Sequence, residues 1–322
     1  MNFFNRKIPR SQMTTGIFQR EDGISLIHLE KRNEHPPRLV VCEFLEGHHS
    51  EELAAGLVAR VKQHGLTKAS AVAVLELGRY NLYQLESPGV PDAEVRDAVR
   101  WSLKDLLDFP LEEAVIDLFP VPHEDLRSRS HLVQVVVARL SEVQRQVELL
   151  RKAKLKISAI DITELAIRNI VTLLPENSGG LVFIYFGAQH GLISIFRNSQ
   201  LYLTRTINLS CFDLSRFSHV AGDVTGDPGG DSAELLRLLD SVVLEVQRSL
   251  DFFESNFFQA PISTVVVAPL EAPVPELLPY LQQALGVTVR SLDLASVLEC
   301  QGLSVKEQAR ALPAIGGALR RE

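Results

Sequence analysis

Short runs of apolar and alternating residues at Thr15 to Gln19, Gly23 to Leu29 and Arg38 to Phe44 predict three strands. Glu21-Asp22-Gly23 and Asn33 to Pro37 supply turn residues between them, so the three form a meander. The period then changes. Leu53, Leu57, Val58 and Val61 recur at helical spacing behind Ser50 as N-cap, the helix closes near Gly65, and Ala71 to Leu75 reads as a buried strand.

The same order recurs further on. Leu181 to Phe186, Leu192 to Phe196 and Leu201 to Ile207 are separated by Gly187 to Gly191 and by Arg197 to Gln200. A long helix follows from about Ser232 to Phe257, with Leu235, Leu239, Val242, Val246, Leu250 and Phe253 in one stripe. After it come a strand at Thr264 to Ala268, a helix near Leu277 to Leu285 and a strand at Val287 to Ser291. Two meanders, each joined to helices and further strands, predict an α/β chain of actin-like or sugar-kinase-like architecture, two duplicated lobes of ribonuclease H-like topology. Between them a helix from Asp92, as N-cap, to Leu107 turns Val95, Val99, Leu103 and Leu106 to one face and stops before Pro110. Strands at Ala114 to Phe119 and Leu132 to Arg139 follow, and Ser141 with Gln144 gives a capping-box pattern for a helix through Leu150. The expected division is a first lobe of residues 1–77 and 154–178, an inserted α/β subdomain at 78–153, and a second lobe at 179–322.

Composition narrows the function classes. The chain of 322 residues is 46% hydrophobic and 23% charged, ordinary for a globular protein, and its net charge of −7 gives no attraction for a nucleic-acid backbone. No apolar run approaches the roughly 20 residues that span a bilayer. Phe3 and Phe4 beside Arg6, Lys7 and Arg10 are followed by Pro9 and Ser11 instead of an apolar core, so they read as a frayed terminus and not a secretory signal. Cys42, Cys211 and Cys300 have no metal or disulfide spacing.

Specific segments carry a resemblance. Phe109-Pro110-Leu111-Glu112-Glu113 before a strand, Glu148-Leu149-Leu150 in a helix followed by Asp161, Arg248-Ser249-Leu250-Asp251-Phe252-Phe253, and Pro313-Ala314-Ile315-Gly316-Gly317-Ala318-Leu319-Arg320 together resemble PilM-type pilus-assembly proteins. The weak match of the first lobe places the chain nearer the MSHA-pilus branch of that family. The resemblance implies an actin-like fold with a subdomain inserted in the first lobe. It also implies a cytoplasmic place at the inner membrane, reached through partners: the N-terminal cytoplasmic tail of a PilN-like inner-membrane protein and other components of the assembly platform.

Actin-like nucleotide sites use two glycine-bearing hairpin turns, an acid in each region to hold the metal or its water, and a glycine-rich turn for adenosine. Here the first family pattern falls on Gly16-Ile17-Phe18-Gln19-Arg20, with an aromatic for the acid and Arg20 for the glycine. The second falls on Tyr185-Phe186-Gly187-Ala188, with a phenol for the acid, and the third on Ala268-Pro269-Leu270, where proline removes a donor. Gly16, Gly187 and Ala188 are therefore vestigial phosphate-loop positions, hydrolysis is not expected, and no cofactor is assigned. The alternative is an ATP-binding switch using Asp22 and Asp161 as replacement acids. A carbohydrate kinase lacks a recognisable base and metal site.

Other constellations are weaker. His48 and His49 with Glu51 and Glu52 sit at a helix start and do not converge on a metal. Gly222 to Asp231 resembles a calcium loop in composition without its spacing. Ser210 and Cys211 have no nucleophile pattern. Trp101, with Leu103 and Leu107, marks either core packing or an exposed peptide-binding face; with Arg100 and Lys104 it is the partner-site candidate.

Overall fold

The strands β1 (Met13–Arg20), β2 (Gly23–Glu30) and β3 (Arg38–Glu46) pair antiparallel as the first meander. The computed structural model describes residues 13–33, 35–122, 132–218, 228–257 and 259–321. Two sequence expectations fall outside them: the N-terminal Phe3 and Phe4 cluster, and most of the Gly222 to Asp231 segment. Next come helix α1 (Ser50–Gln63), β4 (Ser70–Leu75), β5 (Tyr80–Glu86), α2 (Asp92–Ser102), β6 (Ala114–Pro120), β7 (Leu132–Arg139), α3 (Leu140–Lys152), β8 (Lys156–Ile162) and α4 (Thr163–Val171). The second half holds β9 (Leu181–Phe186), β10 (Gly191–Arg197), β11 (Gln200–Ile207), α5 (Cys211–Ser215), α6 (Pro228–Phe257), β12 (Thr264–Val267), α7 (Leu277–Leu285), β13 (Thr288–Ser291) and α8 (Val305–Leu319).

The first sheet runs β3-β2-β1-β4-β8 and the second β11-β10-β9-β12-β13. In each, two antiparallel pairs lead into two parallel ones, so the same order and sense occur twice. This is the actin-like duplication. β5, β7 and β6 make a separate antiparallel sheet between β4 and α3, and α2 lays Val95, Val99 and Leu103 on its Ala114, Ile116 and Val135 face.

Alternation along β1 decides which helix covers which face. Ile17 joins Leu53, Leu57 and Val61 of α1 on one side of the sheet, with Leu149 and Leu150 of α3. Phe18 joins Ile167 of α4 and Ala314 and Ile315 of α8 on the other. That cluster continues into Leu181, Phe183 and Val266 of the second sheet, so α4 and α8 form the apolar floor between the lobes. Burying each such Leu, Ile or Phe contributes about 1.5–3 kcal/mol.

Helix α8, expected with the second lobe, packs on the first sheet. It gets there by close backbone approach: a Cβ on Gly16 would lie 1.8 Å from the Ala314 carbonyl oxygen, and one on Gly316 would lie 2.2 Å from that of Ala166. Local capping also departs from expectation. Pro91 occupies the cap position before α2, α1 starts after His49, and α3 starts after Arg139 without the Ser141–Gln144 box. α2 ends at Ser102, leaving Leu106 in the following turn and 48% exposed. Among the described residues no helix is long and apolar enough to cross a membrane.

Candidate functional site

The β1–β2 turn at Glu21 and Asp22 faces the β9–β10 turn across the cleft, where Gln189 Nε2 donates to Glu21 Oε1 at 2.8 Å. Gly187 and Ala188 lie in this second turn, and the Gly187 backbone is already engaged. The Gly187 N–H donates to the His190 carbonyl at 2.9 Å, and the Gly187 carbonyl accepts from the Cys211 N–H at 2.9 Å. Gly16 is not at a turn at all. It pairs with Ile27 in mid-strand, beneath α8, where only hydrogen fits below Ala314. Phe18, in the place of the first acid, is buried in the floor.

Arg20, set against a family glycine in the sequence reading, is buried at the end of β1. Its guanidinium donates twice to Asp22, at 2.8 and 2.6 Å, and to Glu271 in the loop after β12 at 2.5 Å. Arg310 of α8 donates to the other Glu271 oxygen at 2.7 Å and to Glu46 at 2.7 Å. Both guanidiniums lie near the Phe44 ring, at 5.5 and 4.3 Å from its centroid. The result is a charged clasp joining the first sheet, the second lobe and the terminal helix. Burial alone would lower the affinity of Arg20 for its proton, but the hydrogen bonds and charges of Asp22 and Glu271 raise it. Burial likewise opposes ionisation of Asp22, and Arg20 more than offsets this, holding the carboxyl below its usual range.

The two replacement acids are engaged as well: Asp22 by Arg20, and Asp161 by Arg320 Nη1 at 2.7 Å. Among the described residues no group of three or more His, Cys, Asp or Glu side chains is placed to hold a metal. The negative charge of a triphosphate would be repelled by Asp22, Glu271 and Glu21 unless a cation intervened, and the Arg20 guanidinium is already paired with Asp22 and Glu271. The residues present do not fit magnesium nucleotide.

Glu76, just after β4, is buried behind the clasp, and its Oε1 has no hydrogen-bond partner among the described residues. Burial pushes its carboxyl up to about 7 against the pull of Arg20 and Arg79, with Glu21 and Asp22 adding to the rise. A carboxyl whose folded value is raised gives stability that is complete below its ordinary 4.5 and lost as pH rises through about 7. Glu76→Gln should therefore gain up to about 3 kcal/mol over wild type at about pH 8, and much less at about pH 5. Urea unfolding followed by circular dichroism measures this, and an equal difference at both pH values would refute it.

The remaining sequence candidates separate. Cys211 is no nucleophile, because burial pushes its thiol up to about 11, partly offset by Arg20. Ser210 forms a capping box with Asp213 at the start of α5. On α2, Arg100 Nη2 donates to the Leu111 carbonyl at 2.8 Å, whereas Trp101 is 73% exposed; Lys104, in the turn after α2, is also exposed. Trp101 is thus not core. It lies two positions from both Val99 and Leu103, about half a helical turn away from the buried stripe. Sequence reasoning missed Phe44, Glu46, Glu76, Glu271 and Arg310, since partners drawn from separate elements, 39 to 264 residues apart for the ion pairs of Arg310 and Arg20 with Glu271 and Glu46, leave no spacing signal.

The model of the type IV pilus assembly protein PilM family matches residues 61–212. The structure of a PilM–PilN type IV pilus biogenesis complex has a chain that aligns with TM-score 0.73 and 21% identity, covering 97% of this chain and 98% of that one. More distant are a protein with an actin-like ATPase fold and unknown function from Bacteroides thetaiotaomicron (TM-score 0.48, 9% identity, 92% and 95% covered) and the cytoplasmic domain of EpsL, an inner-membrane component of the type II secretion system of Vibrio cholerae (0.46, 11%, 93% and 94%). No curated protein matches the chain in sequence.

Proposed function

We propose that the chain is a PilM-family scaffold of type IV pilus assembly, of the MSHA branch represented by MshI, with a degenerate nucleotide site. Its role is to hold the N-terminal cytoplasmic tail of a PilN-like inner-membrane protein and, through it, to meet other platform components at the cytoplasmic face of the inner membrane. The observation that carries this reading is the near-complete correspondence with a chain of the PilM–PilN complex, supported by the family match over residues 61–212. The clasp of Arg20, Asp22, Glu271 and Arg310 supports the non-enzymatic part, because it does by ion pairs what a bridging nucleotide would do between lobes.

The exposed Trp101 and Lys104, with Arg100 beside them, are proposed to receive the tail. An aromatic side chain left in water on an otherwise well-packed subdomain suits an apolar anchor on a partner peptide. Calorimetric titration tests the reading. The tail peptide of the PilN-like protein from the same organism should bind without nucleotide, and magnesium-ATP should give no binding heat. Trp101→Ala should weaken the tail by at least about tenfold, or 1.4 kcal/mol, with unchanged melting. Micromolar ATP binding would replace the scaffold reading by a nucleotide switch, and tail affinity unaffected by Trp101→Ala would remove this face from it.

A further inference from the structure

The end of the first sheet opposite the cleft carries positive charge that the fold leaves unanswered. β1, β4 and β8 run parallel, so their last residues lie toward the clasp and their first residues lie together at the far end, about 20 Å away along β4. Two loops meet there. The loop from α1 to β4 and the loop from α3 to β8 are tied by the Lys68 N–H, which donates to the Lys154 carbonyl at 2.8 Å, and by the Lys156 N–H, which donates to that of Ala69 at 2.9 Å. Leu66, Ala153 and Leu155 anchor both loops in the core under α1.

Lys62, Lys68, Arg151, Lys152, Lys154 and Lys156 are all exposed at this end. The sequence holds no acid from Leu53 to Leu75 or from Leu149 to Ile160. Acids on the neighbouring elements are already engaged: Glu148 by Lys152 at 3.0 Å, Glu43 by His64 at 2.8 Å and Arg60 at 3.3 Å, and buried Glu30, level with Met13, by Arg32 at 3.3 Å. Lys62, Lys68, Arg151, Lys154 and Lys156 have no ion pair among the described residues.

Helix ends account for part of this, since α1 and α3 both finish here and cations suit a helix C-terminus. They do not account for lysine at 68 and 154. Both residues have left-handed backbone, with φ of +65° and +56°, where glycine is favoured. α1 and α3 close with the same pair of bonds: Gly65 N–H to the Lys62 carbonyl and Leu66 N–H to that of Val61, against Lys154 N–H to Arg151 and Leu155 N–H to Leu150. The first closure has glycine at its left-handed position; the second has a lysine that the backbone does not ask for.

We infer that this patch docks directly on an anionic lipid bilayer. The segment entering β1 at the same end selects a bilayer among polyanions. Residues 1–12 hold Phe3, Phe4, Arg6, Lys7 and Arg10 and no acid, and aromatic residues among cations suit the headgroup boundary. The net charge of −7 does not prevent contact, because charges more than about 10 Å from the surface are screened at physiological salt. Docking here leaves the clasp on the side away from the bilayer, and it is independent of the tail binding proposed above.

Full-length protein without any partner peptide is the material for the test. It should co-sediment with vesicles of phosphatidylcholine and phosphatidylglycerol but not of phosphatidylcholine alone, and less so as salt rises from about 0.05 to 0.5 M. Lys68→Gly with Lys154→Gly should weaken vesicle binding at least about tenfold without lowering the melting temperature, since both changes relieve left-handed backbone at exposed positions. A purely structural role for these lysines predicts the reverse, lower melting and unchanged sedimentation. Millimolar inorganic phosphate, at constant ionic strength, should not release the protein. The inference is overturned by no sedimentation, by equal binding to the two vesicles, or by a glycine variant that binds like wild type. Release by phosphate would overturn it in favour of a free anion, and tighter binding to duplex DNA than to vesicles at equal phosphate concentration in favour of a nucleic acid.

Discussion

Adding one methyl group to Gly316 is expected to destabilise the protein by about 3 kcal/mol or more. Helix propensity alone predicts the opposite sign, since replacing an interior helical glycine by alanine stabilises by about 1 kcal/mol. Packing decides here. The added Cβ would sit 2.2 Å from the Ala166 carbonyl oxygen and 2.9 Å from its Cα, and these are backbone atoms of α4 that no rotamer change can move. Separation of the helices would also stretch the 2.9 Å bond from Asn169 Nδ2 to the Gly316 carbonyl, leaving a buried amide unsatisfied. Gly89→Ala is the control, because nothing lies within 4 Å of a Cβ there. Urea unfolding followed by circular dichroism should separate the two variants, and Gly316→Ala as stable as Gly89→Ala would mean that α4 and α8 are not in contact as described.

Arg20→Ala is the second large effect, with an expected loss of about 2–4 kcal/mol. The attraction forfeited is the smaller part; the larger is that Asp22 and Glu271 remain partly buried without their shared cation. Their side chains are 23% and 19% exposed, so water returns some of the loss, which places the estimate below that for a fully enclosed pair. Removing both signs together should restore much of the stability. Arg20→Met with Glu271→Gln is expected to unfold at a higher urea concentration than Arg20→Ala alone, and failure to do so would show that the arginine acts through packing on Phe44. The pH behaviour adds a check. Because the folded Asp22 carboxyl lies below its ordinary value, its contribution is present above that value and lost as pH falls, so Arg20→Ala should flatten the acid side of the stability profile.

Both residues show where sequence reading succeeds and stops. The two meanders were legible because turn residues bound short apolar runs, and period-2 alternation survives any tertiary context that buries one face. β5 and β8 were not, since Tyr80 to Glu86 and Lys156 to Ile162 mix polar and apolar residues and lack a turn signal on both sides. Helix α8 carries Pro313 and the Gly316-Gly317 pair, which locally argue against a helix; it forms because Gly316 admits the backbone of α4 and Gly317 the Val72 and Val74 side chains of β4. Arg20 could be read as the loss of a phosphate-loop glycine. That it reaches across to the second lobe with its own ion pair depends on Glu271, 251 residues away, and no local pattern carries such a pairing.

Trp101, the chain's only tryptophan, is 73% in solvent on the inserted subdomain, remote in sequence from both apolar floors. Its ultraviolet emission is therefore already that of a hydrated indole in the native state and will change little when the lobes unfold. The same property makes it a built-in reporter of docking: a partner that covers it shifts the emission to shorter wavelength, against a background free of any other indole.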